Sequence, residues 1–373
     1  MYGDQKDITG QGLKLCVFLT DSMRVFYRKG EIKERYYNPR NVFNEVHLIS
    51  FCRKDLDPDI VKEVVGSAKL FIYPVGSTNI ILLPFIIIKI LSLIENISPD
   101  VIRAYDPSLR GALAVLCGRK FGIKTVISLH ADLDEQRRFR GDAKFKIRRF
   151  LERYSLANVN KVICVTGYLV PYARRNGAKD VTVIYNRVDI KSFHNDRKRD
   201  GHTVKEILCV ARLDSQKYQG CLIKALKNID MNLTLIGSGQ MEKYLRELVV
   251  KLDIVNKVRF VGAVANKEIR AYYKSADIFA IATHYEGFCI PVIEAMASGL
   301  PIIASDIPPI REVVGEAGIL VENKSEVFSK MLNRLKEDKE LYVSLSEAGK
   351  RRVLLFDSEL LEQKEKDLYL SLC

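Results

Sequence analysis

The chain has 373 residues, 47% of them apolar, and a formal net charge of +13 at pH 7. That length exceeds one hydrophobic core and predicts two domains, while the apolar content excludes a disordered chain. The eight cysteines are scattered without metal-ligand spacing, which speaks against a disulfide framework and predicts buried thiols in a reducing compartment.

Met1–Gln11 is polar, so no secretory signal is expected at the start. Strand-like apolar runs follow at Leu13–Thr20, Glu45–Phe51, Leu70–Val75, Val101–Tyr105, Thr125–His130, Lys161–Val165 and Val181–Tyr185. Helical periodicity fills most gaps between them, as at Leu109–Arg119 and Ala143–Leu156. The most hydrophobic window, Ile80–Ile94, falls short of the roughly 20 residues that span a bilayer. It reads as a buried helix on the first sheet, with a helix dipping into a membrane interface as the alternative. From Lys191 to Gly201 the chain turns polar and charged, the best candidate for a linker. The alternation restarts with Ile207–Ala211, Leu233–Ile236, Val258–Val261, Ile278–Ile281, Ile302–Ser305 and Gly318–Val321. Alternating strands and helices predict an α/β protein of two doubly wound, Rossmann-like domains, residues 1–195 and 196–373, with a ligand cleft between them.

Charge divides the same way. Residues 1–200 carry 35 Lys and Arg against 22 Asp and Glu, and residues 201–373 carry 24 of each. An anionic partner for the first half would explain this: a membrane surface, a phosphate-linked lipid or nucleic acid. A solubility bias would give the same count. The densest basic cluster is Arg137, Arg138, Arg140, Lys144, Lys146, Arg148, Arg149 and Arg153. It is either a patch for a membrane or an anionic acceptor, or a solvated helix face balanced by Asp142 and Glu152.

The most informative stretch is Glu286-Gly287-Phe288-Cys289-Ile290-Pro291-Val292-Ile293-Glu294. Pro291 suits the first turn of a helix. The backbone N–H groups of Gly287, Phe288, Cys289 and Ile290 would then point out of the helix start, an arrangement that binds phosphate. Glu294 lies about one turn inside and leans back toward that end, within reach of a sugar hydroxyl. Two surface glutamates on an amphipathic helix would be the plainer reading of the pair alone. This stretch resembles the E-x7-E motif of glycosyltransferase family 4, the retaining nucleotide-sugar glycosyltransferases of GT-B fold. The resemblance continues through Ala295–Asp306 and Glu312-Val313-Val314, and more weakly over the rest of the chain.

That resemblance implies a donor site in the second domain and an acceptor site in the basic first one. It assigns Arg212 and Lys217, five apart after a strand, to the donor diphosphate, which suits a planar fork and a point charge. The family often has Lys-Gly where Lys217-Tyr218 stands. Gly237 and Gly239 match the loop on the nucleotide side, where glycine permits close backbone approach. Glu294 would hold the ribose, Glu286 the donor sugar, and His130 would contact the transferred sugar from the other domain. A lone histidine is otherwise more often structural. Cys289 stands where the family frequently has glycine, and an ordinary helical entry is expected there. Asp132-Leu133-Asp134 mimics an Asp-x-Asp metal motif, but the family implies metal-independent chemistry with no cofactor, so these read as loop or acceptor contacts. The resemblance also takes the last helical pattern, Glu359–Leu370, back onto the first domain. The reaction implied is retaining transfer from a nucleotide-diphosphate sugar to a lipid-linked, polysaccharide or other glycan acceptor. Cysteine usage predicts a cytoplasmic protein, and the charge split allows peripheral attachment at the inner face of a membrane, with Arg137–Arg153 on the anionic surface. The rivals are a nucleotide-sugar epimerase, a phosphorylase needing a pyridoxal-linked lysine, and a basic protein binding nucleic acid or a membrane over a vestigial donor site. Phe139, Phe145 and Phe150 among the basic residues fit stacking on RNA. Retention of Glu286, Glu294, Arg212 and Lys217 together argues against a vestigial site.

Overall fold

The computed structural model describes residues 12–76, 82–140, 145–195 and 204–373, without the side chains of 139, 140 and 145. Met1–Gln11, Ile80, Ile81, Lys144 and the part of the linker from Asp196 to Gly201 lie outside the described residues, as do the side chains of Phe139, Arg140 and Phe145.

Two parallel sheets carry the fold. The first contains β1 (Lys14–Phe18), β2 (Glu45–Ser50), β3 (Lys69–Pro74), β4 (Val101–Ala104), β5 (Lys124–Leu129), β6 (Lys161–Cys164) and β7 (Val181–Val183), in the order β3-β2-β1-β4-β5-β6-β7. The second contains β8 (Glu206–Val210), β9 (Asn232–Ile236), β10 (Val258–Gly262), β11 (Ile278–Ile281), β12 (Ile302–Ser305) and β13 (Gly318–Val321), in the order β10-β9-β8-β11-β12-β13. Each strand lies within two residues of its expected run. Helices cover both faces of such sheets, so the strands read as continuous apolar runs rather than alternating ones. Both orders reverse once, at β1/β4 and at β8/β11. A reversal opens a crevice at the carboxyl ends of the strands, where ligands bind.

Four helices of the first half matter below: α1 (Leu83–Ile97), α2 (Leu109–Phe121), α3 (Leu133–Arg140) and α4 (Phe145–Asn158). The Ile80–Ile94 window forms most of α1, but the expectation of burial holds for one side only. Ile86, Ile90, Ile94 and Ile97 are buried at helical spacing, whereas Phe85 and Ile88 face solvent. Among the described residues no helix is long and apolar enough to cross a membrane.

The second half contributes α5 (Ile290–Ala297) and the terminal α6 (Ser358–Leu370). The two chain crossings between the sheets lie side by side: Val188 donates to the Phe356 carbonyl at 2.9 Å, and Ser358 donates to that of Val188 at 3.0 Å. Beyond that point α6 packs on the first sheet. Leu361, Leu368 and Tyr369 join Leu15, Val17, Val126 and Ile163 in one apolar cluster, and Tyr369 meets Phe43 edge-on.

Buried charge reinforces this packing. Arg103 on β4 donates to Glu365 of α6 and, at 2.5 Å, to the Tyr369 hydroxyl. Its other nitrogens reach Ser128 at 2.9 and 3.2 Å. Arg187 takes the second Glu365 oxygen at 2.8 Å. Burial alone would raise Glu365, but Arg103 and Arg187 hold its carboxyl below the usual glutamate value. Glu365→Ala leaves two guanidinium groups without their carboxylate in the interior. It is expected to cost about 3–5 kcal/mol in urea unfolding, with Glu365→Gln less damaging.

Candidate active site

The second sheet supplies one wall of the crevice. Past β8 the chain turns through Arg212 and Lys217. Arg212 is mostly exposed and pairs with Asp214 at 2.9 Å. Lys217 is tucked inward and pairs with Glu286. Burial pulls the Lys217 ammonium down, but Glu286, Cys289 and the hydrogen bond outweigh it and leave the group above the ordinary lysine value. Gly237 and Gly239 follow β9. A side chain on Gly237 would overlap the Ala211 carbonyl, and one on Gly239 would overlap that of Leu213. Gly237 also sits at φ +131°. The two loops therefore close on each other at backbone distance, which only glycine permits.

Past β11 the chain enters the stretch from Glu286 to Glu294. Gln216 holds it by donating to the Tyr285 carbonyl at 2.8 Å, and Asn323 does the same for Thr283 at 2.8 Å. The helix α5 begins at Ile290 with Pro291 in its first turn. None of the hydrogen bonds among the described residues uses the N–H of Gly287, Phe288 or Cys289. Those groups and the positive end of the helix dipole meet at one place. Glu294 is buried one turn in, and the Tyr273 hydroxyl donates to it at 2.8 Å. Burial, and then Glu294, raise the Tyr273 pKa. Nothing in the sequence marks Tyr273, 21 positions before its partner.

Cys289 corrects an expectation. It enters the helix in the left-handed region, at φ +78° and ψ +72°, rather than by ordinary helical geometry. A left-handed non-glycine residue is strained by about 1–2 kcal/mol. Its thiol is buried, and burial and then Glu286 push its pKa up.

The first sheet supplies the opposite wall. His130 follows β5, and a side chain on Gly287 would overlap its carbonyl oxygen. Thr166 ties the same place by donating to the Gly287 carbonyl at 3.0 Å. Glu312 accepts from the N–H groups of Gly167 at 2.6 Å and Tyr168 at 3.0 Å. The His130 ring stacks on Tyr105 at 5.7 Å, and Tyr105 lies over Arg103 at 4.4 Å and against Tyr36 at 5.6 Å. Below it lies a cavity of about 70 Å³ edged by Lys33, Tyr36, Arg103, Asn186, Arg187 and Ile290. The His130 Nε2 atom is buried and finds no hydrogen-bond partner among the described residues. Burial, then Arg103, push the imidazole down to about 4 against the pull of Glu365. The ring is neutral at pH 7.

Beside His130, Asp132 accepts from the N–H groups of Asp134 at 2.8 Å and Glu135 at 3.3 Å, starting α3. Both aspartates pair with Arg175, at 2.9 and 3.4 Å. The basic cluster is thereby divided. Arg137 pairs with Asp134 at 2.5 Å and Glu152 at 2.6 Å, and Arg149 lies 3.5 Å from Asp134. Lys146, Arg148 and Arg153 are exposed. Among the described residues no three His, Cys, Asp or Glu side chains gather as metal ligands. Sequence reasoning missed Arg103, Tyr105 and Glu365; the first two are neighbours on one strand run, and Glu365, 262 positions beyond Arg103, meets it only through the fold.

Two parallel sheets facing each other across this crevice define the GT-B class of transferases. The sequence matches the description "Glycosyltransferase Family 4" over residues 43–192 and "Glycosyl transferases group 1" over residues 191–352. The chain belongs to glycosyltransferase family 4 and is a glycosyltransferase. It is 28% identical over 265 residues to an uncharacterized glycosyltransferase of Methanocaldococcus jannaschii, covering 69% of this chain and 72% of that one. It is 26% identical to a GDP-mannose-dependent alpha-(1-6)-phosphatidylinositol dimannoside mannosyltransferase of Mycobacterium tuberculosis, over 64% of this chain and 65% of that one. The solved structure of Anabaena HepE in complex with UDP shares the fold, with a TM-score of 0.78 at 16% identity, over 96% of this chain and all of that one.

Two predictions follow from the geometry. Cys289→Gly should unfold within about 1 kcal/mol of the parent, because relief of strain offsets the lost thiol packing, whereas β-branched Cys289→Val should lose roughly 2 kcal/mol or more. Chemical denaturation of the two variants compares them directly. The second concerns acid. A histidine whose pKa falls from 6.5 unfolded to about 4 folded stabilises the fold fully above pH 6.5. That contribution is lost as pH falls toward 4, by at most about 1.4 kcal/mol per pH unit. Unfolding of the parent should therefore steepen across that window, and His130→Gln should flatten it.

Proposed function

We propose that the chain catalyses retaining transfer of a sugar from a nucleoside-diphosphate sugar to a glycan or lipid-linked acceptor. What carries this reading is the convergence of one anion-seeking helix start, one half-buried cation and two buried carboxylates opposite a neutral histidine. Lys217, Arg212 and the N–H groups from Gly287 to Ile290 neutralise charge that develops on the leaving diphosphate. Such preorganised electrostatic stabilisation is usually the largest catalytic contribution. Gly237 and Gly239 let the backbone approach the nucleotide. Glu294, fixed by Tyr273, accepts from the ribose hydroxyls. Glu286, charge-balanced by Lys217, accepts from hydroxyls of the donor sugar, and neutral His130 offers Nε2 to the same sugar from the other side.

Same-face displacement is what membership of the family implies for this step, with Glu286, paired with Lys217, serving to position the donor sugar. The bond from the anomeric carbon to the phosphate oxygen breaks, the acceptor oxygen bonds to that carbon, and its proton passes to the departing phosphate. Residues 196–373 bind the donor and residues 1–195 the acceptor, with closure of the crevice excluding water. The mycobacterial relative, by its name, acts on a phosphatidylinositol-linked mannoside and uses GDP-mannose, and HepE binds UDP. The positive charge of the first half supports a lipid-linked acceptor and a peripheral position at a membrane surface.

The test is thermal stabilisation by UDP, GDP, ADP and TDP and their sugar conjugates. Nucleotide at 100 times its dissociation constant should add about 2.7 kcal/mol of stability. One base should stand out, and Glu294→Ala should abolish its effect. A Glu294→Ala protein that binds the nucleotide normally would sink the ribose role.

A further inference from the structure

Three helices lie side by side over one face of the first sheet. α1 and α4 each pack against α2, and all three bury inner residues in the same core: Ile86 and Ile90 from α1, Leu113 and Ala114 from α2, and Leu156 from α4. Their outer sides therefore make one continuous surface. Four of the five most exposed large apolar side chains among the described residues are on it: Phe85 (71%), Phe150 (69%), Ile88 and Ile147 (65% each). On α1 the buried stripe Ile86–Ile90–Ile94 already satisfies the core, so Phe85 and Ile88 are surplus to folding.

The exposed charge on these helices is almost all of one sign. Lys89, Arg119, Lys120, Lys146, Arg148 and Arg153 are exposed, against Glu95 as the one exposed carboxylate among their described residues. Six cations facing six cations would oppose pairing with a second copy. Two apolar rows separated by the sunken α2, where Leu116 is 37% exposed, form no single groove for a peptide helix. They suit a broad, deformable, anionic partner.

We propose that the outer sides of α1, α2 and α4 dock on an anionic bilayer, with Phe85, Ile88, Ile147 and Phe150 entering the headgroup region and the lysines and arginines meeting lipid phosphates. This deepens the reading of a lipid-linked acceptor and rests on it for its purpose. It also moves the contact away from Arg137 and Arg149, which pair with carboxylates, and onto α1, outside the basic cluster.

Sedimentation of the full chain with vesicles tests it. Binding is expected to equimolar phosphatidylglycerol and phosphatidylcholine but not to phosphatidylcholine alone. Phe85→Ser/Ile88→Ser and Ile147→Ser/Phe150→Ser should each weaken it at least tenfold. Val250→Ser, equally exposed on the second half (68%), should leave it unchanged. All three variants should keep the nucleotide-induced thermal shift, which shows that they are folded. Failure of the parent to bind, binding that neither double variant weakens, or capture of RNA in place of vesicles would each overturn the proposal. A nucleotide shift without vesicle binding would remove this surface and leave the donor site standing. Vesicle binding without any nucleotide shift would do the reverse.

Discussion

The site depends on one close approach: the backbone of Gly287 lies against the carbonyl of His130 with no room for a side chain between them. Each belongs to a segment leaving the carboxyl end of a strand, β11 in one sheet and β5 in the other. Thr166 and Glu312 lock the same seam from both sides, through Gly287 and through Gly167 and Tyr168. Because the seam is made of backbone, the start of α5 and the imidazole face one space without a long side chain bridging them. His130 and Ile290, the first residue of that helix, line the same cavity.

A second constraint comes from the far end of the chain. α6 brings Glu365 under the first sheet, where Arg103 and Arg187 share its two oxygens. Such a buried ionic group contributes little net stability compared with an apolar replacement, but it is costly to break. Its geometric consequence reaches the crevice. Arg103 supports the Tyr105 ring, and the Tyr105 ring supports that of His130. The last helix and the histidine are thus joined by three stacked or hydrogen-bonded side chains. Burial first, and then the nearby guanidinium, favour the neutral imidazole, so Arg103 contributes to both its orientation and its protonation state.

These features differ in how far the chain itself discloses them. The strands were legible because parallel strands buried on two faces leave unbroken apolar runs, such as Ile278–Ile281 and Ile302–Ser305. Pro291 marked the helix start, but Glu286 and Glu294 stood out only through the resemblance to the E-x7-E motif, since spacing alone reads equally well as two surface glutamates. Cys289 was misjudged because a proline-opened helix usually has an extended residue before it, and here the loop must turn sharply to bring Gly287 under His130. Thus the left-handed conformation is a tertiary demand that no local signal carries. The Tyr273–Glu294 and Arg103–Glu365 contacts span 21 and 262 positions, and neither partner has a pattern around it that names the other. α1 was half right for an instructive reason. A run of isoleucines satisfies a core on one side and looks identical on the side that does not.

The charge of the first half shows why sign and number were less informative than placement. Arg137, Arg149 and Arg175 contribute to the count, yet each lies against Asp132, Asp134 or Glu152. They consolidate the loop beside His130, and their field is largely cancelled there. The cations that remain exposed on α1, α2 and α4 share those helices with Phe85, Ile88, Ile147 and Phe150. Neither component would suffice alone: scattered exposed lysines are ordinary on a protein surface, and single exposed apolar residues need no explanation. Their coincidence on one face of one sheet needs an explanation, because folding alone would select against those apolar side chains in water.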